Sequence, residues 1–373
     1  MPLGAEQACR YASEVCRNPA AAVSRWKMMS GRKAAGCLPV YVPEEVLHAA
    51  GMLPVTIWGN EFPTAHRAGV PSFVCSVAGG ILSAIRTGKW EDIDAWVFPS
   101  TCDTIQNAFE AVFPPGDERI RFPFVFPAFA ETPGAAEYLL DRMEAFREWA
   151  GRVSGRLVSE GSLERSVRSY NRNRDTFSLL EDRMAESPGY LSATEFVTLA
   201  RAGMVIPKEG HTEILRAVLS RPRAPSGTVR GKIFLSGMMA TGPVAEAMDS
   251  AGAAIVGNDL ALGHRYYSGS PEESGDMALG LVRRHLRRDP CSTLHRFGGS
   301  RLDHLFRRFG RSGADRLLVL RVRQCEPESG DLPEMASASR ERGIPFLCLD
   351  VDLHADERAA ALVRIEAFVE MGE

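Results

Sequence analysis

The stretch Ala95-Trp-Val-Phe-Pro-Ser-Thr-Cys-Asp-Thr-Ile-Gln-Asn-Ala-Phe-Glu-Ala-Val112 decides how this chain is read. Ala95–Phe98 is a short apolar run closed by Pro, Ser and Thr, the pattern of a strand buried on both faces. Thr104–Val112 then resumes at helical spacing, so strand, turn and helix follow one another with Cys102 in the turn. The same order recurs in Leu317-Leu-Val-Leu-Arg-Val-Arg-Gln-Cys-Glu-Pro327, where a strand over Leu317–Val322 runs into Cys325. Both thiols therefore project from the carboxyl ends of strands, the edge at which open α/β sheets bind ligands. Cys75, in Ser-Phe-Val-Cys-Ser, stands just before a helix predicted over Ser76–Thr87. Three cysteines from distant parts of one chain, all at such edges, point to a shared soft-metal site, for which thiolates favour iron–sulfur clusters or zinc.

Working outward, Ala34–Val40, Leu53–Trp58 and Phe122–Phe126 read as further strands, with a helix over Pro43–Ala50 whose first turn holds Glu44 and Glu45. Acidic residues there suit the helix dipole. Ala5–Met29 reads as one lead-in helix. From Gly134 to Ser220 the pattern is helical and charged, clearest over Glu137–Leu157 and Leu163–Arg183. Arg221-Pro-Arg-Ala-Pro-Ser-Gly-Thr228 is a linker by composition. A second α/β unit follows: strands at Lys232–Leu235, Ala254–Val256, Leu317–Val322 and Phe346–Leu349, helices at Gly242–Ala251, Leu279–Arg287, Pro333–Arg342 and Asp356–Glu370. The expected fold is α/β: two Rossmann-like, doubly wound parallel sheets joined by a helical segment, after an N-terminal helical lead-in. The expected divisions are 1–30, 31–133, 134–228 and 229–373.

At 373 residues the chain is too long for one ordinary core. A net charge of −3 gives no electrostatic case for nucleic acid or an anionic membrane. No run has the length of a membrane span, and the first residues lack a basic segment followed by an apolar one. Eight cysteines in so long a chain, with no Cys-x-x-Cys pair, are neither a disulfide framework nor a zinc ribbon. The expected setting is cytoplasmic, with thiols reduced. A free cysteine is commonly a small buried hydrophobe, and Cys9, Cys16, Cys291 and Cys348 read that way. No Gly-x-x-x-x-Gly-Lys-Ser/Thr loop and no Gly-x-Gly-x-x-Gly pattern is present, so the chain is not expected to hydrolyse ATP or bind a dinucleotide itself.

The run Gly36-Cys-Leu-Pro-Val-Tyr-Val-Pro-Glu-Glu-Val-Leu-His-Ala-Ala-Gly-Met-Leu-Pro-Val55 resembles the opening signature of the 2-hydroxyacyl-CoA dehydratase and ATP-dependent (class I) benzoyl-CoA reductase superfamily. The resemblance continues in order through Cys75-Ser76, Pro99-Ser-Thr-Cys-Asp103, Gly257-Asn-Asp-Leu-Ala-Leu-Gly-His-Arg265, Gln324-Cys-Glu-Pro327, Gly343-Ile-Pro-Phe-Leu347 and Val363–Met371. It implies an iron–sulfur large subunit holding a [4Fe–4S] cluster between two α/β domains through Cys75, Cys102 and Cys325. Three ligands would leave one iron open to a substrate oxygen or solvent. The implied partners are an acyl-CoA substrate, a homologous sister subunit and a separate ATP-hydrolysing iron–sulfur activator. The implied step is delivery of a low-potential electron to a thioester carbonyl, making a ketyl radical anion.

Many of the dehydratases carry a cysteine where this chain has Pro39. Gly-Cys-x-Pro-x-Tyr-x-Pro and Gln324-Cys-Glu-Pro327 are closer to the reductase B- and C-type subunits, so ring reduction of the benzoyl-CoA type is the first expectation and dehydration the alternative. A non-catalytic electron relay and a metal-free scaffold are further alternatives. Cys37 reads as a buried structural thiol, with a fourth-ligand role as its alternative. Glu45 matches a family position near the cluster and is the acid/base candidate. His48 reads as a packing histidine, Asp103 as a helix cap, and Arg265 as a partner for a phosphate or for another domain.

Overall fold

The computed structural model describes residues 4–59, 70–111, 113, 120–127, 129–225, 227–293, 301–353 and 357–371. Two helices, α1 (Ala5–Arg17) and α2 (Pro19–Ser30), lead into β1 (Ala34–Cys37), α3 (Glu44–Ala49), β2 (Leu53–Thr56), α4 (Ser76–Arg86), β3 (Ala95–Pro99), α5 (Asp103–Ala111) and β4 (Ile120–Phe124). The helical stretch is α6 (Ala135–Ser154), α7 (Glu160–Glu186), α8 (Ala193–Ala202) and α9 (Lys208–Leu219). Then come β5 (Gly231–Gly237), α10 (Gly242–Ala251), β6 (Ala253–Asn258), α11 (His264–Tyr267), α12 (Met277–Leu286) and α13 (Arg301–Ser312). The described elements end with β7 (Arg316–Val322), α14 (Glu326–Gly330), α15 (Leu332–Glu341), β8 (Phe346–Val351) and α16 (Arg358–Glu370).

Every strand pair is parallel, and the two sheets repeat one order: β2-β1-β3-β4 and β6-β5-β7-β8. In each, the chain starts at an inner strand, winds to one side, then crosses back and winds to the other. The reversal leaves a crevice at the carboxyl ends of β1 and β3, and of β5 and β7, where such sheets take ligands. Two glycines make the inner pairs possible. A Cβ on Gly36 of β1 would lie 2.7 Å from the Trp96 ring of β3. Gly237, at the end of β5, has φ +126, and a Cβ there would lie 2.1 Å from the Leu320 carbonyl oxygen. One apolar cluster runs through both units, joining Val55 and Trp96 to Leu235 and Leu320.

The expected α/β architecture is present, and its bounds differ for local reasons. The lead-in is two helices, because Pro19 cannot continue α1. Asn18 breaks the chain there and caps α2 by accepting from the Ala21 amide at 3.1 Å. Strand β1 stops at Cys37 instead of Val40, since Tyr41 turns the backbone to φ +79. Helix α13 was not expected: its arginines mask a buried stripe of Leu302, Leu305 and Phe309. Val112 and Asp356, at the predicted ends of two helices, lie outside the described residues.

Candidate metal centre

Each of the three cysteines stands at the start of a helix, where the backbone N–H groups of the first turn favour a thiolate. Cys75 is the N-cap of α4 and accepts from the Ala78 amide at 3.5 Å. Cys102 precedes α5 and accepts from the amides of Ile105 and Thr104. Cys325 is the N-cap of α14, where the backbone at Glu328 favours its thiolate. N–H donors to sulfur favour the thiolate and are one of the levers by which a protein tunes a cluster. All three side chains line a single cavity of about 1310 Å³, walled by both α/β units. Cys325 lies in the electrostatic field of the other two thiols, and Cys102 in that of Cys75.

Burial pushes the Cys102 thiol up, and burial with Glu328 pushes Cys325 up to about 12. Without a metal these thiols are protonated at neutral pH, so loading must release protons. Among the described residues no three Cys, His, Asp or Glu side chains converge tightly enough to hold a single ion. A cubane asks for a different arrangement: its thiolates bind separate corners of a cage. Three separated sulfurs on one roomy wall, each at the start of a helix, fit that shape and the soft-donor chemistry it needs.

Backbone strain gathers at the same place. Tyr41 (φ +79) and Gln324 (φ +63) are the non-glycine residues with positive φ among those described, and both line this cavity. Such conformations persist only where surroundings enforce them and concentrate at functional sites. Gln324 donates from Nε2 to the Ser72 carbonyl, and the Leu353 amide reaches Ser76 Oγ at 3.4 Å. The two bonds bracket Cys75 and tie its loop to the second unit. Beneath Cys325, Glu328 accepts from Ser292 at 2.7 Å, Arg301 at 3.0 Å and Arg265 at 3.4 Å. Burial opposes its ionisation, but Arg301 and Arg265 hold its carboxyl at about 2. Arg265 thus pairs within its own α/β unit, with neither a phosphate nor another domain as the partner shown here.

Glu45 lies outside the cysteine cavity. It lines a small enclosed chamber behind Tyr41, whose ring belongs to both walls. There it pairs with Arg174; burial opposes its ionisation, yet Arg174 and Arg284 hold it at about 2. Next to it Glu44 accepts from Thr56 at 2.6 Å, Tyr266 at 2.7 Å and Tyr170 at 3.1 Å. Cys37 is buried in β1 and is not part of the cavity wall. Cys9 accepts from Arg221 at 2.8 Å, Cys16 donates to the Thr198 carbonyl at 3.3 Å, and Cys348 lies in β8. Cys291 is nearer the site than expected, accepting from Tyr41 Oη at 3.0 Å. Asp103, in the first turn of α5, lines the cavity. His48 is held between Ser166 at 2.9 Å and Glu209 at 3.4 Å.

Fold and site together define a class: a doubly wound α/β protein with a thiol-lined cavity between two repeated sheets. The model of the family described as 2-hydroxyglutaryl-CoA dehydratase, D-component, matches residues 39–371. The chain belongs to this family. It is 25% identical over 362 residues to the (R)-phenyllactyl-CoA dehydratase beta subunit of Clostridium sporogenes, covering 96% of each chain. It is 27% identical over 364 residues to the beta subunit of lactoyl-CoA dehydratase of Anaerotignum propionicum, again with 96% of each covered. With a benzoyl-CoA reductase subunit of Thauera aromatica it shares 24% over 344 residues and 87% of each chain. Among the described residues no helix is long and apolar enough to cross a membrane.

Proposed function

We propose that this chain is the iron–sulfur subunit of a two-component enzyme acting on acyl-CoA thioesters, with Cys75, Cys102 and Cys325 as the ligands of one [4Fe–4S] cluster. The observation that carries this reading is the meeting of three thiols, each at the start of a helix, on one cavity wall. When bound, the cluster supplies one-electron transfer at low potential. The protein's part is to hold the thiols apart on two units, keep the cavity walled by Phe126 and Leu82, and leave room beside the cluster for a thioester. Glu45, ionised and locked to Arg174, acts here as a fixed charge that orients the chamber behind Tyr41. The enzyme is completed by a homologous sister subunit, and a separate ATP-dependent activator in the cytoplasm supplies the electron.

Ring reduction of the benzoyl-CoA type is the first reading of the chemistry, from the Gln324-Cys-Glu-Pro327 block. Dehydration of a 2-hydroxyacyl-CoA is the second, favoured by the family match and by the fuller coverage of the dehydratase beta subunits. Anaerobically purified protein tests the proposal. It should be brown, with about four irons per chain, and its visible and EPR spectra should shift when a thioester is added. Colourless protein with three titratable thiols would leave only a scaffold role. A cluster indifferent to thioesters would leave an electron relay.

A further inference from the structure

Helix α12 carries His285 into the wall of the cysteine cavity, where its side chain is 5% exposed. Its ring stacks on Phe126 with centroids 4.1 Å apart and planes 5° from parallel. The Tyr41 ring meets it edge-on at 6.2 Å. These two contacts fix the ring plane and leave its nitrogens without a bond to them. Nε2 is buried, and no described residue is bonded to it. A buried polar atom without a partner is destabilising, a cost phenylalanine would avoid in the same wall. Burial, Arg288 and Arg284 hold the imidazole well below its ordinary range, so it is neutral and carries one N–H.

We propose that His285 is a neutral hydrogen-bond donor to the ligand that enters the cysteine cavity, and that for an acyl-CoA its acceptor is the thioester carbonyl oxygen. The assignment rests on the acyl-CoA reading above. A carbonyl oxygen becomes more negative as an electron is added to the thioester, so a donor aimed at it binds the reacting state more strongly than the ground state. Being neutral, the ring donates without carrying a formal positive charge into the cavity. A half-turn about Cβ–Cγ within the aromatic clamp exchanges which side of the ring faces the cavity while keeping the ring plane. Arg284 and Arg288, on the wall of the chamber behind Tyr41, add positive potential on the same side.

The test is calorimetric binding of butyryl-CoA and of its thioether analogue S-butyl-CoA, which lacks the carbonyl, to anaerobic cluster-loaded protein. His285→Phe keeps the stack and removes the donor; His285→Gln restores one. The Phe variant should weaken butyryl-CoA about tenfold, leave S-butyl-CoA within about twofold and keep its full iron content, and the Gln variant should recover most of the loss. Equal weakening of both ligands would reduce His285 to packing. Loss of iron in the Phe variant would make it a cluster ligand instead. Binding of both ligands untouched by either substitution overturns the His285 assignment alone, whereas wild-type protein that binds neither overturns the acyl-CoA reading beneath it.

Discussion

Glu328→Gln isolates the support beneath Cys325. The Glu328 carboxyl is 3% exposed and held at about 2, against 4.5 for an unperturbed glutamate. A difference of roughly 2.5 units is worth about 3 kcal/mol at neutral pH. The sign follows from the lowered value: the contribution is complete above about pH 4.5 and is lost as pH falls toward 2. Removing one partner of a buried ion pair costs about 3–5 kcal/mol, a similar size; here Arg265 loses its counter-charge, while Arg301 keeps only Asp331. The variant should melt roughly 4 °C below wild type at pH 7, from about 1.3 °C per kcal/mol for a chain of 373 residues. The gap should narrow as pH is lowered through 4. Because Glu328 also pushes the Cys325 thiol up, metal-free variant protein should alkylate at Cys325 at lower pH than wild type. Unchanged melting together with an unchanged alkylation profile would refute the coupling of this ion pair to the cysteine.

His264 sits between Glu181 at 2.9 Å and Asp289 at 3.3 Å; burial opposes its charge, but Glu181 and Asp289 raise it to about 9. Its stabilising effect is complete below about pH 6.5 and fades as pH rises through 9, so His264→Gln should lower the melting temperature at pH 6 and match wild type near pH 10. Gly36→Ala places a methyl 2.7 Å from the Trp96 ring and should cost about 1–3 kcal/mol, read by denaturant unfolding and by tryptophan near-ultraviolet dichroism. Glu45→Gln leaves Arg174 without its buried counter-charge and should lower the melting temperature while leaving the iron content of loaded protein unchanged.

Much of the architecture was legible because strands buried on both faces write themselves as short apolar runs closed by turn residues. Leu317–Val322 and Ala95–Phe98 were placed to within a residue on that basis. Helix α13 was hidden because Arg307, Arg308 and Arg311 dominate its composition, and only its periodicity betrays Leu302, Leu305 and Phe309. The three cysteines were legible from their positions after strands or before a helix. Their environment was not. Glu328, Arg301 and Ser292 lie far apart in sequence, and nothing in Arg283-Arg284-His285 announces a ring clamped between Phe126 and Tyr41. Tyr41 carried a usable signal, a bulky residue between two proline-bounded turns, but its positive φ emerges only from the fold. Glu45 reads as an acid/base candidate from its family-like position, and its pairing with Arg174, 129 residues away, is not legible in the sequence.

Iron analysis of serine variants purified without oxygen bears most directly on the three-thiol cluster. Wild type should hold about four irons per chain. Cys75→Ser, Cys102→Ser and Cys325→Ser should each lose most of them, and the Cys325 variant should also lose rigidity between the two units, because its ligand joins them. Cys348→Ser, which alters a thiol in β8 outside the cavity wall, should keep its iron and serve as the control for general damage. Full iron in the Cys325 variant, with loss in the Cys348 variant, would contradict the assignment.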